Sequence, residues 1–349
     1  MSNKFDVTPE KQAGVLRFLY QQLTFKPAEV RDVNLQGRTA IVTGSNTGTG
    51  FETGRQLLNL GLSKLILAVR NEEKGKAAAA KLRSEGRNLE AGAVEVWKLD
   101  LSEYDSIVAF AERTKTLERL DYVVLNAALS PATRVFNEHT GHDETIQVNY
   151  LSTSLLALLL LPVVKAKRGV QGHPSRITFV SSEVAAWAKF PEKKEASLLS
   201  AFDKPGKVDP LERMFTSKLL GQFFVDELAK RVHPSVALIN AVSPATVHDT
   251  EFTRDFESKQ ALFPIIKALQ RRVGNKCPVG TRMITDAVVN HGDEVHGQFL
   301  SFQKVVPFNR MAPIIYTPEG KKLSERLWQE TITELSFAKV DDILRDING

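Results

Sequence analysis

The sequence predicts an α/β protein, a single domain on a doubly wound parallel sheet with helices on both faces. An extra N-terminal helix precedes it and a substrate-loop insertion interrupts it late. Short apolar runs alternate with helix-length segments between residues 38 and 302. The runs are almost continuously apolar, as in strands covered on both faces. A glycine-rich turn, Thr43–Gly50, separates the first run from the first helix, which makes the architecture Rossmann-like.

Arg38–Thr43 reads as a short buried strand and Phe51–Leu60 as the first helix. Lys64–Val69 is the second strand, and Lys74–Ser84, rich in alanine and lysine, the second helix. Val94–Leu99, Ser106–Thr116 and Asp121–Leu125 follow as strand, helix and strand. Units of this kind join parallel neighbours by right-handed crossovers. Thr145–Val164 is a long helix, Arg176–Val180 a strand and Leu211–Lys230 a helix. Val236–Asn240 and Gly297–Phe302 are the last strands. Between them no strand signal occurs, and a substrate loop is expected over residues 245–280, since an insertion beside strand ends tends to cover a ligand site. Ahead of the domain, Val15, Leu16, Leu19, Tyr20 and Leu23 recur at helical spacing. They mark an N-terminal extension, residues 1–34, packed on a domain over 35–349. A membrane-surface helix is the alternative, with Lys11, Arg17 and Lys26 to supply positive charge.

The 349 residues are 42% hydrophobic and 25% charged, which argues against disorder and fibrous repeats. Lys and Arg exceed Asp and Glu by 46 to 41, and the basic residues are spread along the chain, so no nucleic-acid partner is expected. The single cysteine, Cys277, allows no internal disulfide and no cysteine-rich metal site, and no metal is expected. Leu155–Val164 is too short an apolar run to span a bilayer, and the N-terminus lacks the pattern of a secretion signal. A soluble, cytoplasmic protein is expected.

The turn Thr43-Gly44-Ser45-Asn46-Thr47-Gly48-Thr49-Gly50 carries the first chemistry. Its glycines permit a tight turn and close approach of backbone to phosphate, and the following helix offers free N–H groups to a pyrophosphate. At the end of the second strand stands Arg70, with no carboxylate there to accept from a ribose 2′-hydroxyl. An arginine can instead hold a 2′-phosphate in a two-bond fork, with Ser45 and Asn46 adding hydrogen bonds, so NADP(H) is expected over NAD.

The T-G-x-x-x-G-x-G spacing resembles the short-chain dehydrogenase/reductase superfamily. Leu67-Ala-Val-Arg70-Asn71, Leu99-Asp100-Leu101, Leu125-Asn126-Ala127-Ala128, Gln147-Val-Asn149-Tyr150, Val180-Ser-Ser182-Glu183 and Ser217-Lys218 extend the resemblance from Leu35 to the C-terminal helix. It looks closest to the retinol-dehydrogenase-like branch, in the long form found in fungal secondary-metabolite pathways. The resemblance implies that Asp100 and Leu101 meet the adenine, and that Asn126, Ala127, Lys218 and Pro244 line the nicotinamide side. It implies dimer faces on Thr145–Val164 and Leu211–Lys230, although members of this branch can be monomers, so monomer or homodimer is expected. The Leu155–Leu161 run is then core or interface.

The family's active set is Asn, Ser, Tyr and Lys. The tyrosine moves a proton, its pKa lowered by the lysine, while serine holds the substrate oxygen and asparagine fixes a water. Here Asn149, Ser182 and Lys218 match. One helical turn before Lys218, where the tyrosine belongs, stands Met214. A thioether has no proton to give. The family's Asn-Ala-Gly reads Asn126-Ala127-Ala128, and its Pro-Gly reads Pro244-Ala245.

Other donors are weighed in turn. Tyr150 is expected to be packing, and Tyr316 cannot be placed. Glu183 is either a solvated loop carboxylate or, if desolvated, an acid. His248, beside Asp249 in the substrate loop, is either exposed or a donor, and His139 and His142 are weaker candidates. Trp187, Phe190, Phe252, Phe256, Leu262 and Phe263 are expected to wall a pocket for a bulky hydrophobic small molecule, or simply to cover the sheet. Three functions fit: an NADP(H)-dependent oxidoreductase acting on such an intermediate with an atypical active site, a non-redox isomerase, dehydratase or cyclase on the same scaffold, and a non-catalytic NADP(H)-binding protein.

Overall fold

The computed structural model describes residues 8–85, 89–253, 263–304 and 311–347. Seven parallel strands form one sheet in the order β3-β2-β1-β4-β5-β6-β7. They are β1 Thr39–Thr43, β2 Lys64–Val69, β3 Val94–Lys98, β4 Tyr122–Leu125, β5 Ser175–Val180, β6 Ala237–Ser243 and β7 Gln298–Ser301. The strand order reverses at β1, whose Val42 pairs with Leu67 of β2 on one side and Val124 of β4 on the other. Crossovers leave in opposite directions there, which opens a crevice at the carboxyl ends of β1 and β4.

The helices are α1 Pro9–Ala13, α2 Val15–Thr24, α3 Gly48–Asn59, α4 Glu72–Glu85, α5 Tyr104–Thr114, α6 Glu144–Gln171, α7 Leu198–Asp203, α8 Pro210–Arg231, α9 Phe263–Val273, α10 Cys277–Val289, α11 Pro318–Glu334 and α12 Val340–Asp346. On one face of the sheet α3, α4 and α10 bury Leu57, Ala79 and Ile284 against β1 and β2. On the other, α5, α6 and α8 bury Phe110, Leu155 and Phe223. α3 starts at Gly48, ahead of the predicted Phe51, because the glycines of the turn form its first turn. α10 begins inside the expected loop at Cys277 and packs on α3, with its buried residues running from Gly280 onward.

Asp143 starts α6 by accepting from the N–H groups of Thr145 and Ile146. A π-helical turn, Gln147–Ser152, follows inside α6, a deviation often found at functional sites. Leu155, Leu156, Leu158, Leu160 and Leu161 are fully buried, so this run is core. Among the described residues α6 is the one helix long and apolar enough to cross a membrane, and 89% of its most apolar window lies inside the fold.

α2 packs on the domain, as expected, but not through the apolar residues that mark it as a helix. Its buried residues are Phe18 and Gln22, while Leu16, Tyr20 and Leu23 are exposed. The reason is the surface it meets: Phe18 packs on Trp187 and Phe302, with ring centroids 5.4 and 6.1 Å away. At the other end of the chain, α11 and α12 pack on α8 and α6. Trp328 stacks on Phe224 at 5.5 Å, and Tyr150 Oη shares a 2.6 Å hydrogen bond with Thr331 Oγ1.

Candidate active site

A cleft of about 650 Å³ opens over the carboxyl ends of β1, β2, β4, β5 and β6. Its floor is the glycine turn. Gly44 has φ +62°, and a Cβ there would lie 3.0 Å from Ala127, so the turn can pass close under β4. Gly50 does not face the cleft. It lets α3 pack on the turn, since a Cβ would meet Gly44 O and Asn126 Nδ2 at 2.5 Å. Asn126 holds the turn from the other side. Its Nδ2 donates to Thr43 O at 3.0 Å, and its Oδ1 accepts from Thr49 Oγ1 at 2.9 Å. Thr47 precedes α3 without a side-chain cap, so the first N–H groups of that helix have no capping oxygen from it.

Asn46, Thr47 and Gly48 line this floor, but Ser45 does not. The Ser45 hydroxyl is buried and donates to Val42 O at 2.8 Å, which takes it away from any ligand. Arg70 and Lys74 stand at one end, both exposed and with no carboxylate partner among the described residues. Lys74 was not singled out from the sequence. A cation in the first turn of α4, against the helix dipole, was the available signal. Asp100 and Leu101 line the neighbouring wall, and Asp100 Oδ1 accepts from Ser102 N at 3.0 Å.

At the opposite end Ser182, Met214, Lys218, Ala127, Ala128 and Pro244 converge. Met214 and Lys218 share a face of α8 because they lie one turn apart. Lys218 Nζ donates to Val180 O at 2.9 Å, and burial pulls its pKa down to about 8. Ser182 Oγ accepts from Val184 N at 3.3 Å. Asn149 does not line the cleft. From the π-helical turn its Nδ2 donates to Leu129 O at 2.9 Å and Ser217 Oγ at 3.0 Å, and its Oδ1 accepts from Leu129 N at 2.8 Å. Both amide protons are engaged with protein, so Asn149 ties α6 to α8 and to the loop after β4.

The short-chain dehydrogenase fogG of Aspergillus ruber is 46% identical, over 99% of each chain. The chain belongs to the short-chain dehydrogenase/reductase family. The family pattern described as short chain dehydrogenase matches residues 38–192 of this short-chain dehydrogenase. The short chain dehydrogenase/reductase mfmJ of Annulohypoxylon moriforme is 41% identical over 95% of each chain. Among solved structures, a short chain oxidoreductase from Pseudomonas aeruginosa, described as NADPH-bound with an atypical catalytic center, superposes with a TM-score of 0.57 at 19% identity. It covers 77% of this chain and 96% of its own, a likeness of fold.

No tyrosine of this short-chain dehydrogenase lines its cleft, and all five lie in described segments. Tyr20 is exposed on α2 and Tyr104 packs on Phe337. Tyr122 Oη accepts from Arg38, Tyr150 is bonded to Thr331, and Tyr316 Oη accepts from Met311 N at 3.1 Å. The other weighed donors lie elsewhere too. Glu183 faces away from the cleft, engaged by two serine hydroxyls rather than solvated in a loop. His248 pairs with Asp249 at 2.6 Å and does not line the cleft. His139 is an exposed partner of Glu103, and His142 is buried between Asp203 and Glu334.

Of the expected pocket walls, Phe252 lines the cleft. Trp187 instead turns under α2, and Phe190 is buried against Phe202 in a left-handed turn. Phe256 and Leu262 lie outside the described residues, and Phe263 opens α9. Leu129, Pro131 and Val247 supply apolar wall that sequence reasoning missed, because loop residues carry no periodicity.

Proposed function

We propose that this chain is an NADP(H)-dependent oxidoreductase, working as a reductase on a bulky apolar natural-product intermediate with an atypical catalytic set. The observation that carries the reading is one cleft shared by two chemistries. A phosphate-accepting end of Arg70, Lys74 and the start of α3 opens onto the same space as Ser182 and Lys218.

The residues fit the cofactor. The start of α3, uncapped by the Thr47 side chain, suits a pyrophosphate, and two cations without carboxylate partners among the described residues suit a 2′-phosphate. Asp100 and Leu101 would border the adenine, and Asn126, Ala127 and Pro244 the nicotinamide side. Bound there, the cofactor supplies the hydride. Ser182 holds the substrate oxygen. Lys218, mostly protonated at neutral pH with a pKa of about 8, delivers the proton that the family takes from tyrosine. Met214 offers contact surface and no proton. Without the family's tyrosine the rate falls by up to about 10²–10⁴-fold, which favours an acceptor that is already electron-poor, such as an activated alkene, or an iminium, which takes the hydride and needs no proton.

A second reading draws on the same missing phenol. A cleft without that acid suits a non-redox isomerase, dehydratase or cyclase, in which orientation of a reactive substrate does the work. One pair of measurements separates them. NADPH fluorescence on titration is expected to show saturable binding, and NADPH absorbance at 340 nm is expected to fall with a panel of iminium salts and enones. Product formed at constant absorbance sinks the redox reading, and binding without any conversion returns the non-catalytic one.

A further inference from the structure

The two loops that flank the reactive end of the cleft are tied together behind it. Ser182 and Glu183 follow β5, and Pro244–Thr246 follow β6. The Glu183 side chain sits between the ends of β6 and β7, where one oxygen accepts from Ser243 Oγ and the other from Ser301 Oγ. Ser243 Oγ in turn accepts from Ala245 N at 3.0 Å. The next amide is held from the other side, as Thr246 N donates to Gln22 Oε1 of α2 at 2.8 Å. Trp187, closing the turn that Glu183 opens, donates Nε1–H to Ala13 O at 2.7 Å and packs edge-on against Phe18. The N-terminal helices thereby roof a chamber of about 20 Å³ whose walls include Glu183, Gln222 and Ser301, room for about one water.

What these bonds hold is a strained turn. Ala245 has φ +56°, a left-handed backbone that an alanine leaves unless it is held. α10 presses on the same loop: a Cβ at Gly280 would lie 2.4 Å from Val247 Cγ2 and 3.3 Å from Pro244 O. Gln22 is buried and Ser243 and Ser301 almost wholly so, which shields these hydrogen bonds from competing water.

We propose that Glu183 and Gln22 are positioning residues that clamp Pro244–Thr246 in this turn, making the N-terminal extension a working part of the site. The clamp stands on its own geometry. Its effect on the nicotinamide half of the cleft rests on the NADP(H) reading.

Hydrogen–deuterium exchange on the cofactor-free full chain, with titrations of NADPH and of adenosine 2′,5′-bisphosphate, tests the clamp in Glu183→Ala and Gln22→Ala. Exchange at Ala245 and Thr246 is expected to quicken about tenfold in each variant, with the amides of β1–β5 unchanged, as loss of about one hydrogen bond implies. The NADPH Kd is expected to rise about tenfold, while the bisphosphate, which reaches only the Arg70 end, binds as before. Glu183→Gln, able to accept from one serine and donate to the other, should recover most of the loss. Unchanged exchange at both amides overturns the clamp. So does faster exchange spread through the sheet with both ligands weakened alike, the signature of a merely structural contact. Should Glu183→Ala fail to fold, Ser301→Ala removes one hydroxyl from the same carboxylate and carries the same expectation. A wild-type chain that binds neither nucleotide removes the NADP(H) reading, and the exchange contrast still decides the clamp.

Discussion

Met214 stands in the cleft one helical turn before Lys218, where the family resemblance expects a tyrosine. Its place follows from spacing alone, since residues one turn apart on a helix share a face. The consequence depends on its neighbours. Lys218 loses water around its ammonium, and burial pulls the pKa to about 8. If Lys218 is the acid, its protonated form is the active one. kcat/KM of the wild type, which reports the free enzyme, is then expected to be level below pH 8 and to fall as pH rises through it. Met214→Tyr is expected to place a phenol beside Lys218 and to raise kcat on ordinary ketones, by up to about 10²–10⁴-fold. A profile flat through pH 8, together with a variant no faster on any ketone, removes Lys218 from the acid role. Ser45 carries the opposite lesson. Its residue type suits a phosphate ligand, yet the turn aims its hydroxyl at Val42 O.

Among the elements, α6 couples the core to the C-terminal helices through one histidine. His142, just ahead of α6, lies 2.7 Å from Asp203 of α7 and 3.0 Å from Glu334 of α11. Burial works against its charge, but the two carboxylates outweigh burial and raise its pKa to about 9. A folded-state pKa above the ordinary value of about 6.5 stabilises most below pH 6.5, and that contribution is lost as pH rises through 9. The contribution is at most about 3 kcal/mol, less the screening at the partly exposed carboxylates. Tm is therefore expected to drop between pH 6.5 and 9, and His142→Gln to flatten that slope. An equal slope in the variant shows that the triad does not set it. α2 illustrates what periodicity can miss. Leu16, Tyr20 and Leu23 mark a helix correctly, but which face packs is decided by Trp187 and Phe302 on the domain.

At the scale of the whole molecule, the C-terminal helices occupy the surface that the family resemblance assigned to a dimer. Trp328 stacks on Phe224 of α8, and Ser324 Oγ donates to Glu227 Oε1 at 2.9 Å. Lys165 of α6 donates to the carbonyl of Asp346 in α12 at 3.0 Å. With those faces of α6 and α8 covered, light scattering on the full chain is expected to give the mass of a monomer. Removing residues 318–349 is expected to expose Phe224 and cause self-association. A dimeric mass for the intact chain refutes the prediction.

Read by itself, the sequence determined the strand–helix alternation, the glycine turn, Arg70 and the pairing of Met214 with Lys218. Each rests on residue type and on spacings of a few residues, which backbone geometry converts directly into place. Tertiary structure alone decided that Ser45 and Gly50 serve packing, that Asn149 is saturated by Leu129 and Ser217, and that Glu183 looks away from the cleft. It also decided that α2 reaches the loop after β6. Ser301 is 118 residues from Glu183, and Thr246 is 224 from Gln22. Contacts at such separations leave no period in the chain, because they depend on how whole elements pack and not on local backbone preference.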